Sequence, residues 1–478
     1  MSLKQQAISG VKWTTLSSAI NAILQLAQLM ILARYLSPHD FGLLAILMIV
    51  INFSQLFVDF GLSQAIIHRK NITNAQLSTL YWLNISLGFF IFFIWLLIAP
   101  LVADFYKEVD LALYIVIISS SLIIQSFGQQ FKALFQKELQ FNILAKIDIF
   151  AAIISFLTAV LLAINGFGIY ALIFPVLVMA TVKSILLVYK GLHHHRPMFV
   201  FNLSEVKELL SFGAYTVGNG IVSTVATQID VILIGKLLGT EILGLYSIAK
   251  ELILKPAQLI NPIITKIAFP VMSKVNHDTN HVKRIYLKLI NYIASINFPI
   301  YVASFILAPE IITLFLGEKW LEATTVFQIL SIWAFLRSVG NPIGSLVMAM
   351  GKPQYEMYWN IGMMFFAPTV VYISSFWGVD GIAWGNVVSM IVLFVPGWYF
   401  LVHKLCKATL VEYVKSIIVP LWISVGIGTI VSILLSLNGG TMTYKFILTL
   451  VFGLGMLWVL YKFFNKDFYN VLKNLLNR

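Results

Sequence analysis

The chain has 478 residues, 59% of them hydrophobic and 11% charged, with a mean hydropathy of +0.90. Soluble globular chains are roughly one quarter charged, so this composition excludes a water-soluble fold and leaves no soluble catalytic or nucleic-acid-binding domain. The net charge of +12 reads as a topology signal, since a nucleic-acid footprint needs a basic soluble face, and Cys406, the single cysteine, excludes an internal disulfide or a cysteine-rich metal site.

The expected fold is all-α and integral to the membrane, because a helix satisfies its own backbone in hydrocarbon and about 20 apolar residues cross it. About fourteen spans are predicted, near 13–33, 41–60, 80–100, 111–131, 147–165, 168–189, 212–235, 243–269, 287–308, 323–348, 357–377, 380–402, 413–436 and 443–463. The first follows Lys4 and Lys12, runs too long for a signal-peptide core and lacks a small-residue cleavage site, so it is expected to stay in the mature chain. Cytoplasmic loops retain Lys and Arg. With the N-terminus inside, 24 of the 32 basic residues fall on cytoplasmic faces, five (Arg34, Lys107, Lys236, Lys319, Lys445) face outward, and three (Lys250, Lys255, Arg337) lie within spans. Both termini are therefore expected in the cytoplasm.

The segment from Arg34 to Ile46, with Phe41-Gly42-Leu43 inside it, aligns without a gap on Lys236 to Ile248, with Leu243-Gly244-Leu245, at a shift of 202 residues. Further matches pair Leu97-Ile98-Ala99-Pro100 with Ile306-Leu307-Ala308-Pro309, and Gly168-Ile169-Tyr170-Ala171 with Gly381-Ile382-Ala383-Trp384. Such repetition predicts two six-helix lobes, 1–191 and 212–403, related as a parallel repeat by a pseudo-two-fold axis along the membrane normal. Residues 404–478 add two helices without a counterpart and a cytoplasmic tail. The linker 192–211 carries His193, His194, His195, Arg196 and Pro197; adjacent histidines converge poorly on one ion, so a solvated basic loop is expected and no metal.

Polar side chains inside a bilayer are costly unless they face protein or water. Asn21, Gln25 and Gln28 in span one share a helical face, and the repeat maps them onto Ser223, Thr227 and Asp230 in span seven. Span two adds Asn52, Gln55 and Asp59, and span eight Gln258 and Asn261. These four spans are expected to line a central cleft, the alternative being ordinary helix-to-helix bonding.

Lys250, Glu251 and Lys255 sit inside span eight, where each charge costs roughly 2.5–3.5 kcal/mol on insertion scales. Glu251 and Lys255 are placed for an i, i+4 pair; Lys250 either pairs with Asp230 or meets an anion. Arg337 in span ten offers a planar fork suited to phosphate, the alternative being an ion pair or carbonyl clamp that stabilises the lobe. Arg337, Lys250 and Lys255 are thus candidate phosphate ligands, and Glu251, Asp230 and Asp59 candidates for coupling to a proton or sodium ion. Pro256, Pro262 and Pro270 allow bends in span eight. No phosphate-binding loop, nucleophile elbow or metal-ligand spacing occurs, so secondary transport without a cofactor is expected, and not enzyme chemistry.

The chain resembles the polysaccharide-transporter (Wzx-type) flippases of the multidrug/oligosaccharidyl-lipid/polysaccharide exporter superfamily, nearest the colanic-acid exporter branch. The likeness covers nearly the whole chain and rests on Ile8-Ser9-Gly10-Val11-Lys12-Trp13, Phe41-Gly42-Leu43-Leu44, Asp59-Phe60-Gly61, Thr79-Leu80-Tyr81-Trp82-Leu83-Asn84, Gly128-Gln129-Gln130-Phe131-Lys132-Ala133-Leu134, Asn261-Pro262-Ile263-Ile264-Thr265, Phe315-Leu316-Gly317-Glu318-Lys319-Trp320 and Leu336-Arg337-Ser338-Val339-Gly340-Asn341-Pro342. The resemblance implies a bacterial inner-membrane protein that flips an undecaprenyl-diphosphate-linked oligosaccharide to the outer leaflet, for polymerisation into exopolysaccharide, O-antigen or capsule. It also implies membrane lipids and the pathway's polymerase and chain-length components as partners, and no nucleic acid. A drug or organic-cation antiporter of the same fold would want carboxylates dominating its cleft, and cations here at least match them. A membrane-embedded polymerase or glycosyltransferase should carry a sizeable extramembrane loop, and the lobe repeat disfavours it.

Overall fold

The structure is a computed structural model and describes residues 3–59, 66, 72–202, 207–437 and 442–470. Its described residues are helical, without a strand. The helices are α1 (Leu3–Tyr35), α2 (Pro38–Asp59), α3 (Asn74–Tyr106), α4 (Leu111–Lys137), α5 (Phe141–Ile164), α6 (Tyr170–Gly191), α7 (Lys207–Leu238), α8 (Thr240–Lys274), α9 (Thr279–Ile306), α10 (Ala308–Phe315), α11 (Ala323–Gly340), α12 (Ile343–Ala349), α13 (Gln354–Ser374), α14 (Gly378–Trp398), α15 (Leu410–Leu437) and α16 (Met442–Phe464). Among the described residues, ten helical stretches are long and apolar enough to cross a membrane. Their outward faces suit lipid better than water: Leu97 is 76% exposed and Phe90 61%.

Several helices overrun the predicted spans because caps, not hydropathy, set their ends. At the start of α3, Gln76 N–H donates to Thr73 Oγ1 (3.1 Å) while Thr73 N–H donates to Gln76 Oε1 (3.2 Å), a reciprocal cap. Asp278 caps α9 by accepting from the backbone N–H groups of Asn280 and His281. The tenth span, expected as one piece, breaks between α11 and α12 at Asn341-Pro342, since proline lacks an N–H and crowds the carbonyl four residues before it.

The chain divides into two compact units, Met1–Gly244 and Leu245–Arg478. Within the first, α3 packs on α4, α4 on α6 and α5 on α6. The helices that the repeat makes equivalent pair in the same order within the second: α9 on α11, α11 on α14 and α13 on α14. Close contacts use small residues and carbonyls, as expected where lipid offers no hydrophobic drive between helices. Asn84 Nδ2 donates to the Ser126 carbonyl (3.0 Å) and Ser184 Oγ to the Ile124 carbonyl (2.6 Å). The two C-terminal helices belong to the second unit, α15 lying on α9 and α16 on α15. There Asn465 Nδ2 donates to Asn291 Oδ1 and Ser295 Oγ, both at 3.0 Å, and Lys283 pairs with Glu412 at 2.9 Å.

Within the first unit the repeated segments meet each other. A Cβ on Gly42 would fall inside the Thr240 carbonyl group, and one on Gly244 inside the Pro38 carbonyl group. The shift of 202 that equates Gly42 with Gly244 also equates Pro38 with Thr240, so each copy of the repeated segment makes the same contact on the other. Beside it, Thr240 Oγ1 donates to Glu108 Oε1 (2.5 Å), His39 Nε2 lies 3.0 Å from the same oxygen, and Lys236 Nζ donates to the Phe105 carbonyl (2.7 Å).

The linker is less solvated than its composition suggested. His195 is buried, His194 pairs with Glu138 at 3.2 Å, and residues 198–202 run along the start of α3. Met198 N–H donates to Ser78 Oγ (3.0 Å), Trp82 Nε1 to the Met198 carbonyl (2.9 Å) and Asn202 N–H to Thr79 Oγ1 (3.2 Å), while Phe199 stacks on Trp82. The polar groups of α3's first turns strap the segment down.

Gly42→Ala is expected to cost about 1–3 kcal/mol of thermal stability, because backbone meets backbone and no rotamer relieves the overlap; Gly218→Ala, with open space around it, should not be destabilised. Burial pushes the His195 pKa down, so the native strap binds fewer protons than the open one. Its stability is complete above the ordinary histidine range and falls as pH drops through it toward the lowered native value. After correction for the intrinsic pH dependence of amide exchange, protection factors at residues 192–202 should therefore be high at pH 7.5 and fall below about pH 6 (the lower edge of that range), and the fall should vanish in His195→Phe.

Candidate functional site

In the second unit, α8 and α11 bring two of the candidate phosphate ligands to one aromatic ring. Trp333 and Arg337 stand one turn apart on α11, so both face the same way. The Arg337 guanidinium carbon lies 5.0 Å from the Trp333 ring centre, and Lys250 Nζ lies 5.9 Å from it and 5.6 Å from the Tyr246 ring. Trp333 and Tyr246 are buried, Lys250 is half-buried and Arg337 exposed. Asn386 Nδ2 donates to the Tyr246 hydroxyl (2.9 Å) and fixes that ring from α14.

Cations are favoured over an aromatic face, and the gain grows with desolvation. The rings lower the cost of holding Lys250 and Arg337 in an apolar bundle. Trp333, Tyr246 and Asn386 were missed by reading the sequence. A tryptophan four residues before an intramembrane arginine was the available signal, and α11's strongly apolar composition hid it.

Lys255 takes the other course: its Nζ lies 2.8 Å from Glu251 Oε1, the i, i+4 pair that the spacing indicated. Both charges are thereby spent largely on each other. Asp230 is buried at the end of α7's polar stripe, with Oδ1 accepting from Val231 N–H (2.9 Å). The Asp59 side chain lies outside the described residues.

The amide stripes divide. Gln25, Gln55, Thr227 and Gln258 are exposed, and Asn21, Gln28, Asn52 and Ser223 half-buried. Asn261 is 1% exposed, and its Oδ1 accepts from Asn297 Nδ2 on α9 (2.8 Å). That asparagine bonds helix to helix, the alternative weighed for the stripe as a whole.

Two cavities among the described residues of the second unit bear on the site. One of about 350 Å³ is walled by Arg337, Asn341, Trp359, Phe394, Trp398 and Tyr413, among others. A larger one of about 460 Å³, between α9, α11 and α15, is walled by Tyr301, Phe305, Phe335 and aliphatic and hydroxyl side chains. It holds no charge and so cannot address an anion. No group of three or more His, Cys, Asp or Glu able to hold a metal occurs among the described residues.

With Cys406 replaced, single cysteines at Gln25, Thr227 and Gln258 should react with a water-soluble maleimide, and one at Asn261 should not.

Comparison with known proteins gives this arrangement a lineage. Residues 31–325 match the model of a family described as "Polysaccharide biosynthesis protein". The chain is 32% identical to the lipopolysaccharide biosynthesis protein WzxC of Escherichia coli K12, over 89% of this chain and 86% of that protein. It is also 32% identical to the teichuronic acid biosynthesis protein TuaB of Bacillus subtilis strain 168, over 90% of this chain and 89% of that one. In fold it resembles the lipid II flippase MurJ in an inward closed conformation, with a TM-score of 0.78, 14% identity, and coverage of 97% of this chain and 99% of that one. It also resembles an inward-facing multidrug resistance MATE family transporter of the MOP superfamily, with a TM-score of 0.61, 15% identity, and coverage of 81% and 96%. The chain belongs to the polysaccharide biosynthesis protein family and carries the transporter fold of the MOP superfamily.

Proposed function

We propose that this protein moves a polyprenyl-diphosphate-linked oligosaccharide from the cytoplasmic to the outer leaflet of a bacterial inner membrane by alternating access. The observation that carries the reading is the convergence of Lys250 and Arg337 on the Trp333 indole. A diphosphate presents several acceptor oxygens, and a guanidinium fork beside an ammonium can engage two phosphoryl groups at once. A polysaccharide-family chain holding a paired cation inside its membrane bundle fits an anionic lipid carrier better than a cationic drug.

In this mechanism fourteen spans form lobes 1–191 and 212–403, joined by linker 192–211 and followed by the helices of 404–478, with both termini cytoplasmic. The cations take the diphosphate, the exposed amides of Gln25, Gln55 and Gln258 and the Thr227 hydroxyl accommodate the sugars, and the prenyl chain remains in lipid. Rocking of the lobes then exposes the headgroup outside. With the inside negative, expelling two negative charges releases about 4.6 kcal/mol per 100 mV, which favours export. If an ion moves in exchange, Glu251, Asp230 and Asp59 are the carboxylates we propose for it.

The test is flipping of a fluorescent diphosphate-linked oligosaccharide in proteoliposomes. A hydrogen bond to a charged group is worth about 1.5–3 kcal/mol. Arg337→Ala and Lys250→Ala should therefore each slow flipping at least about tenfold, and imposed potential should alter the wild-type rate. Unchanged rates in both variants would remove the paired cations from the mechanism.

A further inference from the structure

We propose that the cavity beside Arg337 is a subsite for the sugar ring attached to the diphosphate. It deepens the transport reading and rests on it for the identity of the lipid. A pyranose has two chemical characters: its ring faces present C–H groups, and its rim presents hydroxyls that donate and accept hydrogen bonds. A matching site needs flat apolar walls and a few polar groups of both kinds.

The 350 Å³ cavity has that composition, and its size falls in the roughly 300–1,000 Å³ range of small-molecule pockets. Trp359 comes from α13 and Trp398 from α14, and both are half-buried in its wall. Arg337 offers donors, and the Asn341 amide both donates and accepts. A site for inorganic phosphate alone has no use for two indoles, and a site for a hydrocarbon chain has none for a guanidinium and an amide.

The indoles are held in place. Trp398 Nε1 donates to the Ala408 carbonyl (3.1 Å), and its ring packs against His403 at 5.2 Å between centres. Trp359 lies against Gly397, where an added Cβ would approach Cη2 to 3.4 Å. Directly after Trp398 the backbone widens into a π-helical turn at Tyr399–His403, a distortion frequent at functional sites. Tryptophans of a membrane-interface belt direct their N–H to the headgroup level, whereas Trp398 spends its own on the backbone.

Arg337 links the two parts. It lines this cavity and also lies over Trp333, the ring that Lys250 approaches as well. A phosphate held by the paired cations would place its covalently attached sugar beside the same guanidinium, at the mouth of the indole-walled space.

The test compares equilibrium binding of two radiolabelled lipids to the full-length protein in detergent: a polyprenyl diphosphate bearing one hexose, and the bare polyprenyl diphosphate. Wild type should bind the hexose-bearing lipid at least tenfold more tightly. Trp359→Leu and Trp398→Leu should reduce that preference toward unity with affinity for the bare lipid unchanged, and Trp422→Leu, outside the cavity, should preserve it. Equal binding of the two lipids by wild type overturns the subsite, as does an equal loss for both lipids in the tryptophan variants. Should a leucine variant fail to fold, Asn341→Ala reads the same ratio. Preserved discrimination in a protein that flips neither lipid would refute the transport reading and leave the subsite standing.

Discussion

The organising constraint is the cost of charge inside an apolar helical bundle. Each lysine or arginine there must be paired, laid over a π face or given water, and this chain uses different answers for neighbouring residues. Lys255 is neutralised one turn away by Glu251. Lys250 and Arg337 both lie over the Trp333 ring, and the buried indole offers each a face that lowers the cost of its charge.

A second constraint is geometric. Where the two repeated segments cross, each must accept the other's backbone, and a side chain on either would exclude it. Gly42 and Gly244 meet that requirement together with the carbonyls of Pro38 and Thr240. Glu108, accepting from Thr240 and lying beside His39, adds polar bonds around the crossing. The neighbouring Phe41, Leu43, Leu243 and Leu245 are buried around it, so the backbone contact sits within an apolar seam.

Elsewhere, polar groups serve adhesion. Without a hydrophobic drive between helices in lipid, α16 is fastened through Asn465 to Asn291 and Ser295, and α8 to α9 through Asn261 and Asn297. Polarity within a span is therefore ambiguous evidence. Of residues that the sequence makes equivalent in kind, Gln258 is exposed while Asn261, three positions on, is buried in an interhelical bond.

Hydropathy by itself determined that the chain is an all-helical membrane protein, because only helices free of solvent demands can use so apolar a composition. The repeat was also legible, since the glycines and turn residues that produce the crossing occupy matching positions in both copies. So was the Glu251–Lys255 pair, a contact set by helical periodicity alone. Only the tertiary structure decided which stripe residues are buried and which exposed, that the histidine linker is strapped to α3, and that Asn341-Pro342 breaks a span. It also decided that Lys250 and Arg337, 87 positions apart, share an indole which Tyr246 and Asn386 help to frame. These arrangements depend on which faces of separate helices meet, and packing between helices is set by shape across the whole unit, which no local period in the sequence encodes.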